Sequence, residues 1–248
     1  MTLRFPSLAV LLVLASASYV LADDTLTWTE TVARLTKAIE ASPTTVDLYS
    51  QRGDVRFFLG EFATAAADYD KMVELTPSED AGHWRRGIAW FYAGEYEKAA
   101  GQFERYHSFD NVDRENGIWR YLCQRKASGL EKAREGLLKY EKDDREPFGD
   151  VYRLFEGKIT SEELLDKIRT AKISDTERQK RLFYAELYVG LNEAVEGRED
   201  SAKTHLTAAA KNTWGEKAGY GPNYMWQVAR LHAEVLAKPV VPQKSSGP

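Results

Sequence analysis

Apolar and polar positions along this chain follow the period of a helix. Tyr49, Gly53 and Phe57 fall at i, i+4 and i+8 on one face, and Ala65, Tyr69 and Met72 mark a second stretch that Pro77 stops. Leu59-Gly60-Glu61 reads as the turn between them. Together they predict an antiparallel helix pair. The pair then returns: Gly53 recurs as Gly87, Gly60 as Gly94, Phe62 as Tyr96, Ala65 as Ala99 and Tyr69 as Phe103, each 34 residues on. A period of that length signals stacked helix pairs. Glycine inside a helix costs about 1 kcal/mol relative to alanine. Gly53 and Gly87, with Ala65 and Ala99, are therefore expected where paired backbones approach closely.

Fainter copies flank these two. Ala133 follows Ala99 at the same offset, with Leu137 and Tyr140 in the places of Phe103 and Tyr106. Tyr121 replaces the glycine of that third unit, and Trp119, Leu122 and Cys123 supply its core. Upstream, "WTETVARLTKAIEASP" aligns Leu35 with Tyr69 and Pro43 with Pro77, so it reads as a lone second helix capping the stack. Downstream, Gly190, Gly197, Ala202, Leu206 and Ala209 restate the motif. An irregular unit lies between. Pro147 opens a helix through Val151, Leu154 and Phe155, Gly157 ends it, and Thr160 with Glu163 forms a capping box before "ELLDKI". Pro222 begins a last helix carrying Met225, Val228, Leu231 and Leu236. No Val/Ile/Thr-rich alternation predicts a strand. The expected fold is all-α, a solenoid of antiparallel helix pairs over residues 23–238. Its clear repeats lie near 46–79 and 80–113, its degenerate units near 114–146, 147–180 and 183–216, and its capping helix over 222–237. The polar tail 239–248 is expected to be disordered.

Composition narrows the setting. With 248 residues, 43% hydrophobic, the chain can bury a sizeable core, and a net charge of −4 gives it no electrostatic reason to seek nucleic acid or an anionic membrane. "MTLRFPSLAVLLVLASASYVLADD" has a basic start at Arg4, an apolar run from Leu8 to Ala15 and small residues before Asp23. Residues 1–22 are expected to be a signal for export to the periplasm or beyond, cleaved after Ala22. Ala15-Ser16-Ala17 is a second possible site, and retention of the segment as an anchor is the alternative. The apolar run is short of the roughly 20 residues that span a bilayer well. Cys123 is the only cysteine, so no internal disulfide is expected, and none stands in or just after the signal to carry a lipid.

The spacing of Gly, Gly, Ala, aromatic and Pro resembles the tetratricopeptide repeat, a right-handed stack of helix pairs. The order "HWRRGIAWFYAGEYEKAAGQFERY", "WRYL", "VYRLFEGKITSEELLDKI" and "FYAELYVGLNEAVEGREDSAKTHLTAAA" looks like the NlpI-type repeat proteins of the bacterial envelope. That resemblance covers roughly His83 to Lys211. It implies a non-catalytic periplasmic adaptor that holds cell-wall hydrolases and a processing protease together and often forms a homodimer. The chain departs from that family in lacking the lipid-bearing cysteine and one repeat at its amino end.

In a stack of helix pairs the first helices line a concave groove. Here its inward positions are Ser50, Asp54 and Phe57, then Trp84, Ile88 and Phe91, with Arg85 beside Asp54 as a polar contact. Taken singly, Trp84, Ile88 and Phe91 read as packing between units; taken together they read as a protein- or peptide-binding wall. The second candidate surface is "WGEKAGYGPNYMW", where Trp214, Tyr220, Tyr224 and Trp226 serve equally as interface anchors or as a cap on the core.

Nothing nominates catalytic chemistry. His83, His107, His205 and His232 are scattered and form no H-E-x-x-H pair. "GKIT" at Gly157 lacks the upstream glycine of a phosphate loop, Tyr152 standing there, and no G-x-S-x-G elbow occurs. Paired acids such as Glu199-Asp200 and Asp143-Asp144 fall at turns, where charge is normally solvated. A non-enzyme without metal or cofactor is expected. The alternatives are an assembly or stability factor for an envelope or secretion machine, and an enzyme with no recognisable motif.

Overall fold

The structure, a computed structural model, describes residues 27–142 and 144–237. The expected signal (1–22), the tail (239–248) and Asp143 lie outside the described residues. Among the described residues there are thirteen α-helices and no strand. They run α1 (Trp28–Ala41), α2 (Val46–Phe58), α3 (Phe62–Leu75), α4 (Trp84–Tyr92), α5 (Tyr96–Phe109), α6 (Arg114–Ser128) and α7 (Leu130–Glu135). Then come α8 (Phe148–Phe155), α9 (Ser161–Thr170), α10 (Asp175–Val195), α11 (Glu199–Ala210), α12 (Thr213–Lys217) and α13 (Tyr220–Ala237). Helices pack mainly on their neighbours in the chain, α2 with α3, α4 with α5, α5 with α6 and α10 with α11.

The small residues do the close packing expected of them. A Cβ placed on Gly53 would stand 2.6 Å from the Tyr69 ring, one on Gly87 2.7 Å from the Phe103 ring, and one on Gly190 2.6 Å from Leu206 Cγ. Ala65, Ala99, Ala133 and Ala202, the matching positions on the second helices, are fully buried. At the turns Gly60, Gly94 and Gly197 have φ of 80°, 83° and 79°, a left-handed backbone that glycine adopts at least cost.

A polar ladder runs at the same period. Arg52 on α2 grips Asp68 on α3 (Nη2 to Oδ1 2.6 Å) and reaches back to Thr36 Oγ1 on α1 at 3.0 Å. Arg86 on α4 likewise reaches Gln102 Oε1 on α5 (2.5 Å from Nη2) and pairs with Asp80. Arg120 on α6 donates to the Gly136 carbonyl and to Glu104 Oε1 at 3.2 Å. Each arginine ties its own helix pair to chain on the amino-terminal side.

The third unit departs from expectation. α7 stops at Glu135, and Leu137 and Tyr140 lie in a loop rather than on a helix. Charged residues dominate from Lys139 to Glu146, which leaves no apolar stripe for further helical turns to bury. Tyr140 instead lays its ring against α6, where a Cβ on Gly117 would meet its hydroxyl at 2.7 Å. The next pair is as expected, with the Thr160–Glu163 capping box formed. α10 begins at Asp175 rather than 183, because Ser174 caps it by accepting from the Glu177 N–H.

α13 does more than close the end. It packs on α11 and α12, and its side chains return to the first two repeats. Tyr224 stacks on Phe57 with ring centroids 4.9 Å apart, Arg230 donates to the Phe58 carbonyl at 2.7 Å, and the Tyr92 hydroxyl lies 2.9 Å from His232 Nδ1.

Candidate functional site

The inward residues of the first two pairs do converge, but not on an open groove. Arg85 donates to Ser50 Oγ at 3.0 Å and to Asp54 Oδ1 at 2.7 Å. Asp54 also accepts from the hydroxyls of Tyr69 (2.7 Å) and Tyr220 (2.6 Å). Tyr69 and Tyr224 share a further hydroxyl contact at 3.2 Å. Ser50, Asp54 and Arg85 thus form a polar network that receives α13. Phe57 and Phe91 are core residues, Phe57 under Tyr224 and Phe91 edge-on to Trp119 at 5.6 Å. Phe57 and Phe91 do not form an open wall, because Tyr224 covers Phe57 and Trp119 of α6 packs on Phe91. The two readings of "WGEKAGYGPNYMW" divide by residue: Tyr224 is fully buried, whereas Tyr220 is 56% exposed.

Trp84 and Ile88 belong to something else. They line a cavity of about 430 Å³ framed by α4, α5, α6, α10, α12 and the start of α13. Its aromatic wall includes Trp84, Tyr106, Trp119, Tyr184 and Trp214, and its polar wall Asp113, Glu115, Asn116, Arg145 and Lys180. Tyr220 lies 6.5 Å from Trp84 between ring centroids, and Phe109, 67% exposed, lies with Trp84 around an adjoining hollow. Large exposed aromatics therefore adjoin the cavity wall at Trp84.

The polar wall has a local origin. Asp113 is the N-cap of α6, accepting from the Glu115 N–H at 3.0 Å, so Glu115 and Asn116 project from the first turn of that helix. The irregular loop after α7 brings Arg145 opposite. Its guanidinium pairs with Glu115, with Asp144 at 3.2 Å and with Asp113 at 3.7 Å, and stacks over Phe148 at 4.2 Å. The Tyr188 hydroxyl donates to Glu115 from the far side. Three carboxylates share one guanidinium. Burial pushes the Glu115 carboxyl up to about 7; Arg145 opposes this, and the neighbouring Asp113 adds to it. Asp113 is also raised, by burial first, with Asp144 adding to it. Groups raised by desolvation beside a like charge in a concavity mark functional-site candidates. The arrangement can attract a cation and can hold a proton near neutral pH.

Other titratable groups offer less. Burial, helped by Arg85 and Arg86, holds His83 down to about 3, and burial holds His232 down to about 4, so both are neutral near pH 7. Cys123 is buried and its thiol is pushed up by desolvation. No group of three metal-ligating side chains exists among the described residues, and no described helix is long and apolar enough to cross a membrane. A second hollow of about 900 Å³ near α8 has charges of both signs, many of them paired, such as Lys167 with Asp150 and Lys158 with Glu156.

Sequence reasoning reached Trp84, Ile88 and Trp214 but missed Asp113, Glu115, Asn116, Arg145 and Tyr184. The one available signal was the Asp-x-Glu start of α6, which reads as ordinary capping. No family model matches the chain, and no curated protein matches its sequence.

Proposed function

We propose that this chain is a non-catalytic protein-binding scaffold of the tetratricopeptide-repeat type, which docks partners at the aromatic cavity rather than along the first-helix groove. The observation that carries this is the exposure of Phe109 and Tyr220 beside a cavity walled by three tryptophans. Exposed aromatics around a concave apolar centre are the composition of interface hot spots. The NlpI-type resemblance supports an adaptor in the bacterial periplasm, with wall hydrolases and a processing protease first among partners and a homodimer as its working form. The export-signal pattern at residues 1–22 supports the location.

The experiment is capture from envelope extract by the wild-type chain and by a Phe109→Asp/Tyr220→Asp variant. Recovery of a hydrolase or protease by the first and not the second supports the adaptor. Recovery of a single secretion or outer-membrane component supports an assembly factor instead. Equal recovery by both variants removes the cavity from the proposal.

One feature favours a second, catalytic reading: burial at the cavity wall pushes the Glu115 carboxyl up to about 7. An acid–base catalyst must pass that proton to substrate, whereas both Arg145 and Tyr188 already engage the carboxylate. Turnover of cell-wall fragments by purified protein, lost in Glu115→Gln, is the result that supports catalysis.

A further inference from the structure

We propose that the cavity takes the cationic side chain of a lysine or arginine presented by the docking partner. This rests on the protein-binding reading above and names the chemistry of the anchor. Three features of the cavity point to it independently.

The first is charge. Asp113, Glu115 and Asp144 all pair with the one guanidinium of Arg145, and Lys180, the other cation lining the cavity among the described residues, is 3.6 Å from Glu177 on its own helix. Asp110 adds a further carboxylate close by, held by the N–H groups of Val112 and Asp113. The cluster therefore carries more negative than positive charge, and Asp113 and Glu115 are raised in proton affinity because their desolvation is not fully offset. An incoming cation would offset it.

The second is the aromatic lining, of which Tyr184 already lies 5.7 Å from the Arg145 guanidinium. Trp84, Trp119, Tyr184 and Trp214 present ring surface in a space large enough for one long side chain. Aromatic faces attract ammonium and guanidinium groups, and the apolar stem of lysine or arginine is suited to the same surface. The third is Asn116, which lines the cavity, is 3% exposed and has no hydrogen-bond partner for either its Oδ1 or its Nδ2. An N–H of the ligand would satisfy the Oδ1 acceptor, as buried polar groups require.

A negatively charged anchor meets the carboxylates, and a purely apolar one leaves their charge uncompensated. A partner side chain is favoured over a free amine because Phe109 and Tyr220 extend apolar surface beyond the cavity, which a small molecule would not cover.

The test uses the full chain and follows the tryptophan indole signals by NMR during titration with Nα-acetyl-lysine amide, Nα-acetyl-arginine amide and the neutral isostere Nα-acetyl-norleucine amide. The cationic probes are expected to shift Trp84, Trp119 and Trp214 and to bind at least tenfold more tightly than the norleucine probe. Asp113→Asn with Glu115→Gln should erase that preference and leave norleucine binding unchanged. Asp113→Asn alone, which keeps the α6 cap, should halve it or more if the double variant loses its helical circular dichroism. Norleucine binding as tightly as lysine, or no shift with either cation, overturns the inference. Putrescine binding more tightly than Nα-acetyl-lysine amide also overturns it, by placing a free amine in the cavity. A partner captured through Phe109 and Tyr220 but retained by the double variant would leave the docking reading standing while removing the cationic anchor.

Discussion

The first two helix pairs and the third unit were built from one pattern, and they end in opposite states. In the regular pairs, α2–α3 and α4–α5, Tyr69 and Phe103 pack against Gly53 and Gly87, and Tyr224 of α13 covers Phe57 on the inner face. In the third unit Tyr121 takes the place of the glycine, α7 stops short, and the freed loop carries Arg145 to the carboxylates of α6. The candidate site lies where the repeat fails. Regularity permits close packing and so leaves little room; a broken repeat leaves side chains and space not committed to its neighbours.

The largest way to break this comparison is to unseal the regular half. Tyr224 is fully buried against Phe57 and Trp84. Tyr224→Ala should cost about 3–5 kcal/mol, the usual range for an aromatic truncated in a core. Chemical denaturation of the wild type and the variant measures it. A loss below about 1 kcal/mol would mean that α13 rests on the repeats without sealing them.

The next effect belongs to the irregular half and is read against pH. Glu115 has a folded value of about 7 against an ordinary value of 4.5. The folded state therefore holds the proton more tightly, and this group's contribution to stability is complete below pH 4.5 and is lost as pH rises through 7. Glu115→Gln cannot ionise. Its stability relative to wild type should rise across that window by on the order of 3 kcal/mol at most, then level off. His83 and His232, held low, act in the opposite sense below their ordinary value of 6.5, but they are common to both proteins and cancel in the difference. A difference that does not vary with pH would show that Arg145 and Tyr188 already compensate the ionised carboxylate.

Ala99→Leu returns to the regular pairs. Ala99 has no exposed surface, and the three heavy atoms that leucine adds must displace its neighbours. Overpacking of this kind costs about 1–3 kcal/mol, read as a lowered midpoint. An unchanged midpoint would contradict the close approach of α4 and α5.

How legible each half was follows from the same contrast. The boundaries of α2 to α5 were readable because periodicity, turn glycine and terminal proline agree there at a fixed offset. The ladder of Arg52, Arg86 and Arg120 stands at that offset too and was passed over, since charged residues on a helix usually read as solvated. Leu137 and Tyr140 matched the pattern by position, yet the charged run after them decided the backbone. Ser174 and Glu177 carried the capping signal for α10, but the glycine match at Gly190 drew the boundary later. Asp54 and Trp84, expected on the inner face, meet Tyr220 and Tyr224 of α13, a closure that was not readable. That closure depends on α13 returning from the far end of the chain. The cavity was hidden for the same reason: its walls come from helices distant in sequence, and only their packing brings Glu115 and Trp214 together.

The smallest effect sharpens the comparison most, because it asks one substitution to act in opposite directions. Gly149, in α8, has nothing within 4 Å of where a Cβ would stand, whereas at Gly87 that position lies 2.7 Å from the Phe103 ring. Both glycines are helical, so Gly→Ala removes similar backbone freedom from the unfolded chain at each. At Gly149 that is the whole effect, and Gly149→Ala should stabilise by about 0.4–1 kcal/mol. At Gly87 the same gain is set against movement of a buried ring that itself stacks on Trp119 at 6.0 Å. Because overpacking costs about 1–3 kcal/mol, Gly87→Ala should come out destabilising or near zero. Thermal midpoints of the two variants, measured side by side, decide it. A gain at both positions would mean that Phe103 yields without cost, and glycine in the regular repeat would then need a reason other than packing.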